Sequence, residues 1–368
     1  MALHITTIMI RHLKPHSLWR MVGCLCCLHL LAACSASDDA TTGSSHPISI
    51  DLAVDAPSSR ATLYNSGTEL QGKEQIDIRM YSGSSDYYYI AADKSRVTPN
   101  DDKPYLDWKS SSWAFFKSDG TNNVYFWPDT FTGSNIESPV SFVAFAPRGT
   151  ITNVENEALT SAGASFDVTA IPLSDDIMVG SAANQTYSTA NPVRMTMHHV
   201  CSAVDFVVVL SPRMTITKLT ISGIAKSGSY AGNGTTNTWS NNTGTDGTIV
   251  ETTFADKNGD GTPGQMPGDL NYGASISDNA PYIVVPQTLT TNATITLEAT
   301  VSGEQKTYTF NMLTADPNHG STTAVTSWEP GKKYTYQLCV NADDPEFGLV
   351  SVIVTPWDKQ GSSSTDVE

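Results

Sequence analysis

The chain has 368 residues, with 21 Lys and Arg against 37 Asp and Glu, so it is long enough for two domains that each bury a core. Its formal net charge of −16 repels phosphate backbones and anionic headgroups, which excludes nucleic acid as a partner on electrostatic grounds. Thr, Ser, Gly, Asn and Val dominate, and runs of Leu, Glu and Lys at helical spacing are few, a composition that favours strands and turns.

The chain opens with a basic segment, Arg11 to Arg20, and an apolar stretch from Val22 to Ala33. Leu31-Ala32-Ala33-Cys34 closes that stretch with small residues before a cysteine, the pattern of a lipoprotein signal peptide (residues 1–33) whose cleavage leaves Cys34 lipidated. Residues 1–33 hold Arg11, Lys14 and Arg20 and no acid, so from Cys34 onward 18 basic residues face 37 acidic ones, a net of −19. Residues 34–47 read as a polar tether. No later segment reaches the roughly 20 apolar residues of a membrane span, so the expected attachment is the lipid. Four of the six cysteines lie at or before Cys34, and only Cys201 and Cys339 follow. A disulfide between them and two buried free thiols both fit.

Ile48, Ile50, Leu52 and Val54 fall at period two, which predicts a half-buried first strand over residues 48–54. A loop and the isolated Arg60 follow, then Ala61. One tryptic cut there could release that strand and leave a slot in a sheet. Short strands are predicted at Gln75–Tyr81 and Asp86–Ile90, and a strand end near Leu106 and Trp108. Val124–Pro128 and Ser141–Pro147 are the most hydrophobic pieces of this half and each ends at a proline, so they are predicted as central strands. Thr150–Ala170 reads as a short helix or an irregular loop. Ser181–Pro192 reads as a connection, which places a boundary between an N-terminal domain, residues 48–190, and a C-terminal one, residues 191–368.

The second half predicts strands over Val193–Leu210, Lys218–Ile224, Pro281–Gln287, Ala293–Val301, Lys306–Met312, Tyr334–Val340 and Leu349–Trp357. Gly228–Gly247 reads as a loop and Trp328–Lys332 as a turn. About seven strands per half at this spacing predict an all-β protein of two tandem β-sandwich domains.

Few residues carry a chemical pattern. His198 and His199 are adjacent in a strand and point to opposite faces, so they cannot chelate one metal together; a buried, hydrogen-bonded His199 is the favoured reading. Asp256-Lys257-Asn258-Gly259-Asp260-Gly261 matches the first half of a calcium loop, but Pro267 stands where the bidentate Glu belongs, and turn chemistry accounts for the run. Tyr87, Tyr88, Tyr89, Tyr105 and Trp108 could stack on a sugar, although alternating tyrosines more often pack a sandwich edge. No Ser-His-Asp order, GxSxG, HExxH or P-loop occurs, so the chain reads as non-enzymatic, without metal or cofactor.

Several local patterns agree with one family. Ser59-Arg60-Ala61-Thr62 after a first strand, Tyr125–Pro128 with Phe142–Pro147, Asp176-Ile177-Met178, Val193–Phe206 with His199 inside it, Gly228–Tyr230 with Trp239, Val285-Pro286-Gln287, Trp328–Tyr336 and Ile353–Trp357 together resemble the fimbrillins, lipoprotein pilins of type V pili in anaerobic Gram-negative bacteria of gut and mouth. The resemblance implies tandem transthyretin-like sandwiches, export to the outer membrane, cutting after Arg60 by a trypsin- or gingipain-like protease, and filling of the vacated groove by a strand of a neighbouring pilin subunit. It maps the donor onto the C-terminal region, with Leu349, Val350, Val352, Ile353 and Val354 as the apolar positions. Beyond Trp357 only Val367 is apolar, which favours an accessory or tip subunit over a stem subunit. The alternative is a monomeric surface lipoprotein that binds glycans or host proteins through its loops.

Overall fold

In a computed structural model the chain is described over residues 46–54, 75–82, 85–86, 89–90, 96–97, 103–127, 139–187, 190, 192–210, 214–254, 274–275, 281–313, 325–340 and 348–356. All of these fall within one compact unit, Ser45–Glu368. The fold is all-β, with no helix among the described residues.

The larger sheet has nine strands. Its order runs Ile50–Val54, Val193–His199, Met178–Gln185, Val140–Ala146, Ile76–Ser82, Tyr105–Lys109, Ser112–Phe116 and Asn122–Asn123, with Ser85–Asp86 also paired to Ile76–Ser82. Its centre is apolar on both faces because each face meets a different core. Phe142, Ala144, Ala146 and Met178 pack with Ile50, Leu52 and Val54 in one core, whereas Phe145 and Val179 join the other. This explains why Val140–Ala146 is nearly continuous in hydrophobic residues, as a strand covered on both sides must be. It is central, as the sequence predicts.

Against Phe145 and Val179 lies a four-stranded sheet of order Val154–Thr160, Gly163–Val168, Gly228–Gly232 and Asn237–Ser240. Phe166, Tyr230 and Trp239 form its aromatic inner face, with ring centroids 4.8–5.7 Å apart. Two expectations are corrected here. Thr150–Ala170 is a β-hairpin, and Gly228–Gly247 contains a second one that pairs with it. The first strand of the former, Val154–Thr160, is largely exposed and therefore lacks an alternating apolar signal. In the latter, Gly228, Ser229 and Gly232 occupy strand positions because backbones approach closely: a Cβ on Gly232 would lie 2.4 Å from the Thr236 carbonyl oxygen. The expected connection Ser181–Pro192 is also corrected, since Ser181–Gln185 extends a strand.

Gln287–Thr288 with Ser327–Trp328 and Tyr89–Ile90 with Arg96–Val97 make two short two-stranded sheets, and the remaining strands form a facing pair of larger ones. One has the order Ala274–Ser275, Ser202–Leu210, Lys332–Val340 and Gly348–Pro356, with Tyr282–Val284 also paired to Ser202–Leu210. The other runs Gly247–Glu251, Met214–Ile224, Thr294–Val301 and Glu304–Asn311. Their shared core holds Leu219, Ile221, Ile295, Leu297, Phe206, Tyr336 and Trp328, and Trp328 Nε1 donates to Tyr336 Oη at 3.0 Å, which satisfies a buried indole.

The strand after the expected boundary at residue 190, Val193–His199, pairs with two strands of the first half, Ile50–Val54 and Met178–Gly180. Two residues, Val200 and Cys201, separate it from Ser202–Leu210, so the predicted single stretch Val193–Leu210 is two strands in succession. Cys201 is buried and free, which removes the disulfide alternative. Cys339 is registered with Val209, eight residues along the strand from Cys201 and so roughly 25 Å away, far beyond bridging reach.

Candidate functional site

The first strand lies at one end of the nine-stranded sheet. Ile50–Val54 runs parallel to Val193–His199, with Ile50, Asp51, Leu52, Ala53 and Val54 registered to Val193, Arg194, Met195, Thr196 and Met197. Just before it, Pro47 forms an antiparallel bridge to Phe126, where Ile48 N–H donates to Tyr125 O at 2.8 Å and Trp127 N–H donates to His46 O at 2.9 Å. Val193 N–H donates to Ser49 O at 2.8 Å. The segment therefore has two partners in succession: residues 46–48 are hydrogen-bonded to Tyr125–Trp127, which follow the far end of the same sheet, and Ser49–Val54 pair along the opposite edge with Val193–Met197. The stave that joins the two ends is this segment.

Its side chains alternate as the sequence predicts. Ile48, Ile50, Leu52 and Val54 are buried, and Asp51 and Ala53 face solvent. The buried face meets Trp113, Phe115, Tyr125, Trp127, Met195 and Met197 in one core, with Phe115 edge-on to Tyr125 at 4.9 Å. On the outer face Arg194 reaches Asp51 at 3.9 Å, both well exposed, a contact of little energetic weight. His46 stacks on Tyr187 at 4.0 Å. Sequence periodicity finds the first strand, but neither its parallel pairing nor its second partner at Tyr125–Trp127. The expected strand at Val124–Pro128 is reduced to that bridge, and Val124 is exposed.

Cys34, Arg60 and Ala61 lie outside the described residues, as do Tyr87, Tyr88 and the Asp256–Gly261 run. The candidate donor residues Leu349, Val350, Val352, Ile353 and Val354 sit in Gly348–Pro356, which is antiparallel to Lys332–Val340 over eight registered pairs. Val352 packs on the core and Val354 is exposed. This strand has one described neighbour and forms the end of its sheet. The first strand and the last belong to different sheets. Tyr105 is buried and stacks on Phe116, and Trp108 packs edge-on to Trp113, which is sandwich packing.

A second polar constellation was not anticipated. His199 is buried and hydrogen-bonded, as expected, but its partner is the equally buried Asp176: Nδ1 lies 2.7 Å from Oδ2, and since a carboxylate accepts, Nδ1 carries the hydrogen. His198 points the other way, 3.5 Å from Thr235 Oγ1. Around the Val200-Cys201 joint, Val200 N–H donates to Ile177 O at 3.1 Å, Trp239 Nε1 donates to Val200 O at 2.9 Å, Gly331 N–H donates to Cys201 O at 2.8 Å and Ser202 Oγ donates to Glu329 O at 2.8 Å. Burial, reinforced by the Asp176 carboxylate, pushes the Cys201 thiol well above its ordinary range, so it is inert packing rather than a nucleophile. Among the described residues no group of His, Cys, Asp and Glu could hold a metal ion.

A fimbrillin-like family model matches residues 59–357. The chain belongs to the fimbrillin-like family. A fimbrial protein of Bacteroides vulgatus has the same fold, with a TM-score of 0.53 and 14% identity over 85% of this chain and 100% of that one. Proteins provisionally assigned to cell adhesion are similar from Bacteroides uniformis (TM-score 0.48, 14% identity, 84% and 98% covered) and Bacteroides ovatus (0.49, 13%, 87% and 100%). No curated protein is similar enough in sequence to match. As a fimbrillin-like protein the chain has a pilus-subunit or adhesion role at the cell surface, and membership of this structural family agrees with the absence of catalytic motifs.

Proposed function

We propose that this protein is a subunit of a type V pilus, exported to the outer membrane as a lipoprotein on Cys34 and matured by a trypsin- or gingipain-type cut between Arg60 and Ala61. It then receives a strand from another subunit in place of its own residues 46–54. The observation that carries this reading is the placement of the first strand as a stave at the end of its sheet, paired along one edge with Val193–Met197, tied through His46 and Ile48 to Tyr125 and Trp127, and buried on one face. Arg60 follows it by six residues. Burying each of Ile48, Ile50, Leu52 and Val54 is worth ~1.5–3 kcal/mol before ordering costs, so an emptied slot binds any strand that restores both the burial and the ladder. A contact in which one molecule's strand fills another's slot does not close on itself and propagates a filament.

Donation is the costlier half of such an exchange. Leu349–Val354 can serve only if its strand, Gly348–Pro356, leaves eight registered pairs with Lys332–Val340, which favours an accessory position that receives more readily than it gives. Limited trypsin treatment of the purified chain tests the scheme: a new N-terminus at Ala61 and multimers stable in mild detergent are expected. Multimers that form unchanged in an Arg60→Ala variant overturn it.

A further inference from the structure

The slot is not uniform along its length. At its N-terminal end Ile50 is registered to Val193, and Ile48 is bonded to Tyr125; Val193 and Tyr125 are both wholly buried. A β-branched valine has one strongly preferred χ1, and a ring fixed by packing cannot change volume. At the C-terminal end Leu52 and Val54 are registered to Met195 and Met197. Methionine is unbranched and re-packs around partners of different shape. Both methionines are buried, and they fill the space that a side chain at position 180 would take. They lie over Gly180 on the neighbouring strand, where an added Cβ would be 2.7 Å from Met197 Sδ and 3.2 Å from Met195 Cγ. Met80 and Met178 belong to the same core. The space left by the missing side chain is occupied by unbranched, flexible side chains, the kind that re-packs at least cost.

We propose that the slot selects its incoming strand at the positions of Ile48 and Ile50 and tolerates variation at those of Leu52 and Val54, so that one receiving subunit accepts donors differing in their second half. The inference rests on the strand-exchange reading and specifies which part of a partner strand is read.

The test uses the chain cut after Arg60 and freed of residues 34–60, with fluorescent peptides of the sequence of residues 46–54. Leu52→Ile, Leu52→Phe and Val54→Leu peptides are expected to bind within about fivefold of the native peptide, whereas Ile50→Phe weakens binding by about twentyfold or more, the range of overpacking in a site that cannot relax, and Ile50→Leu, a change of shape at constant volume, by about tenfold. Replacing both methionines of the receiver by valine (Met195→Val, Met197→Val) is expected to spread the first set to about the range of the second. Equal spread at positions 50 and 52 on the native receiver overturns the gradient and leaves strand exchange standing. No binding of the native peptide overturns both. The same substitutions in the uncut chain give an independent reading: the Leu52 and Val54 variants should lower Tm less than the Ile50 variants do, and the reverse order overturns the gradient.

Discussion

Single residues fix the joint between the two sets of sheets. Asp176 and His199 are buried together, and removing one partner takes away the hydrogen bond that compensates the other's burial. Asp176→Ala is therefore expected to cost about 2–4 kcal/mol in denaturant unfolding. Gly163 has φ +138° and its backbone sits so close to Gly232 that a Cβ would be 2.0 Å from the carbonyl oxygen. Gly163→Ala should then lose about 2 kcal/mol or more and loosen the pairing of the two hairpins. Cys201 offers a probe of the same region: native protein should leave its thiol unreacted toward a disulfide reagent, and the reaction should appear only in denaturant. His199 was recognisable as a buried histidine because it lies in an apolar stretch, but its partner was not, since Asp176 stands 23 residues earlier in a run of two acids that reads as ordinary loop chemistry.

At the scale of elements, legibility followed burial, on one face or on both. The first strand was visible because its inner positions are uniformly apolar and its outer ones are not. Val140–Ala146 was visible as an unbroken apolar run. Val154–Thr160 was not, because an exposed strand has no reason to alternate, and Gly228–Gly232 was hidden because close backbone approach demands the residues that otherwise mark loops. Pairing was the least legible feature. Ile50 meets Val193 across 143 positions of sequence, and period two fixes which face is buried without saying which strand lies beside it. Since Trp113 and Trp127 are buried in the core that the first strand covers, release of residues 34–60 should shift tryptophan emission to longer wavelength, and re-addition of a peptide of residues 46–54 should reverse the shift. An unchanged spectrum after complete release would mean the core stays closed without its stave.

The whole molecule is acidic and rich in buried tyrosine. Burial holds the hydroxyls of Tyr230, Tyr282 and Tyr336 well above the ordinary phenol range, and for Tyr282 the bond to Glu251 at 2.9 Å adds to the effect. A raised folded pKa means the folded state holds these protons more tightly than the unfolded chain, whose tyrosines titrate near 10. Their contribution is complete below that value and is lost as pH rises above it. Stability should fall progressively from about pH 10 upward, with phenolate absorbance rising in step with loss of structure; ionisation of all the tyrosines in a still-folded protein would contradict this.

The short joint at Val200 and Cys201 has a mechanical consequence. The chain's own first strand lies parallel and in register with Val193–Met197, so a pull along the axis of a strand seated in the same way would load the whole ladder in shear at once instead of peeling it bond by bond. That tension passes through two residues anchored on every side into Ser202–Leu210, itself in register with Lys332–Val340 over eight pairs. A fibre assembled in this way would have a tie rod running through each subunit, and its weakest link under traction would be sought elsewhere.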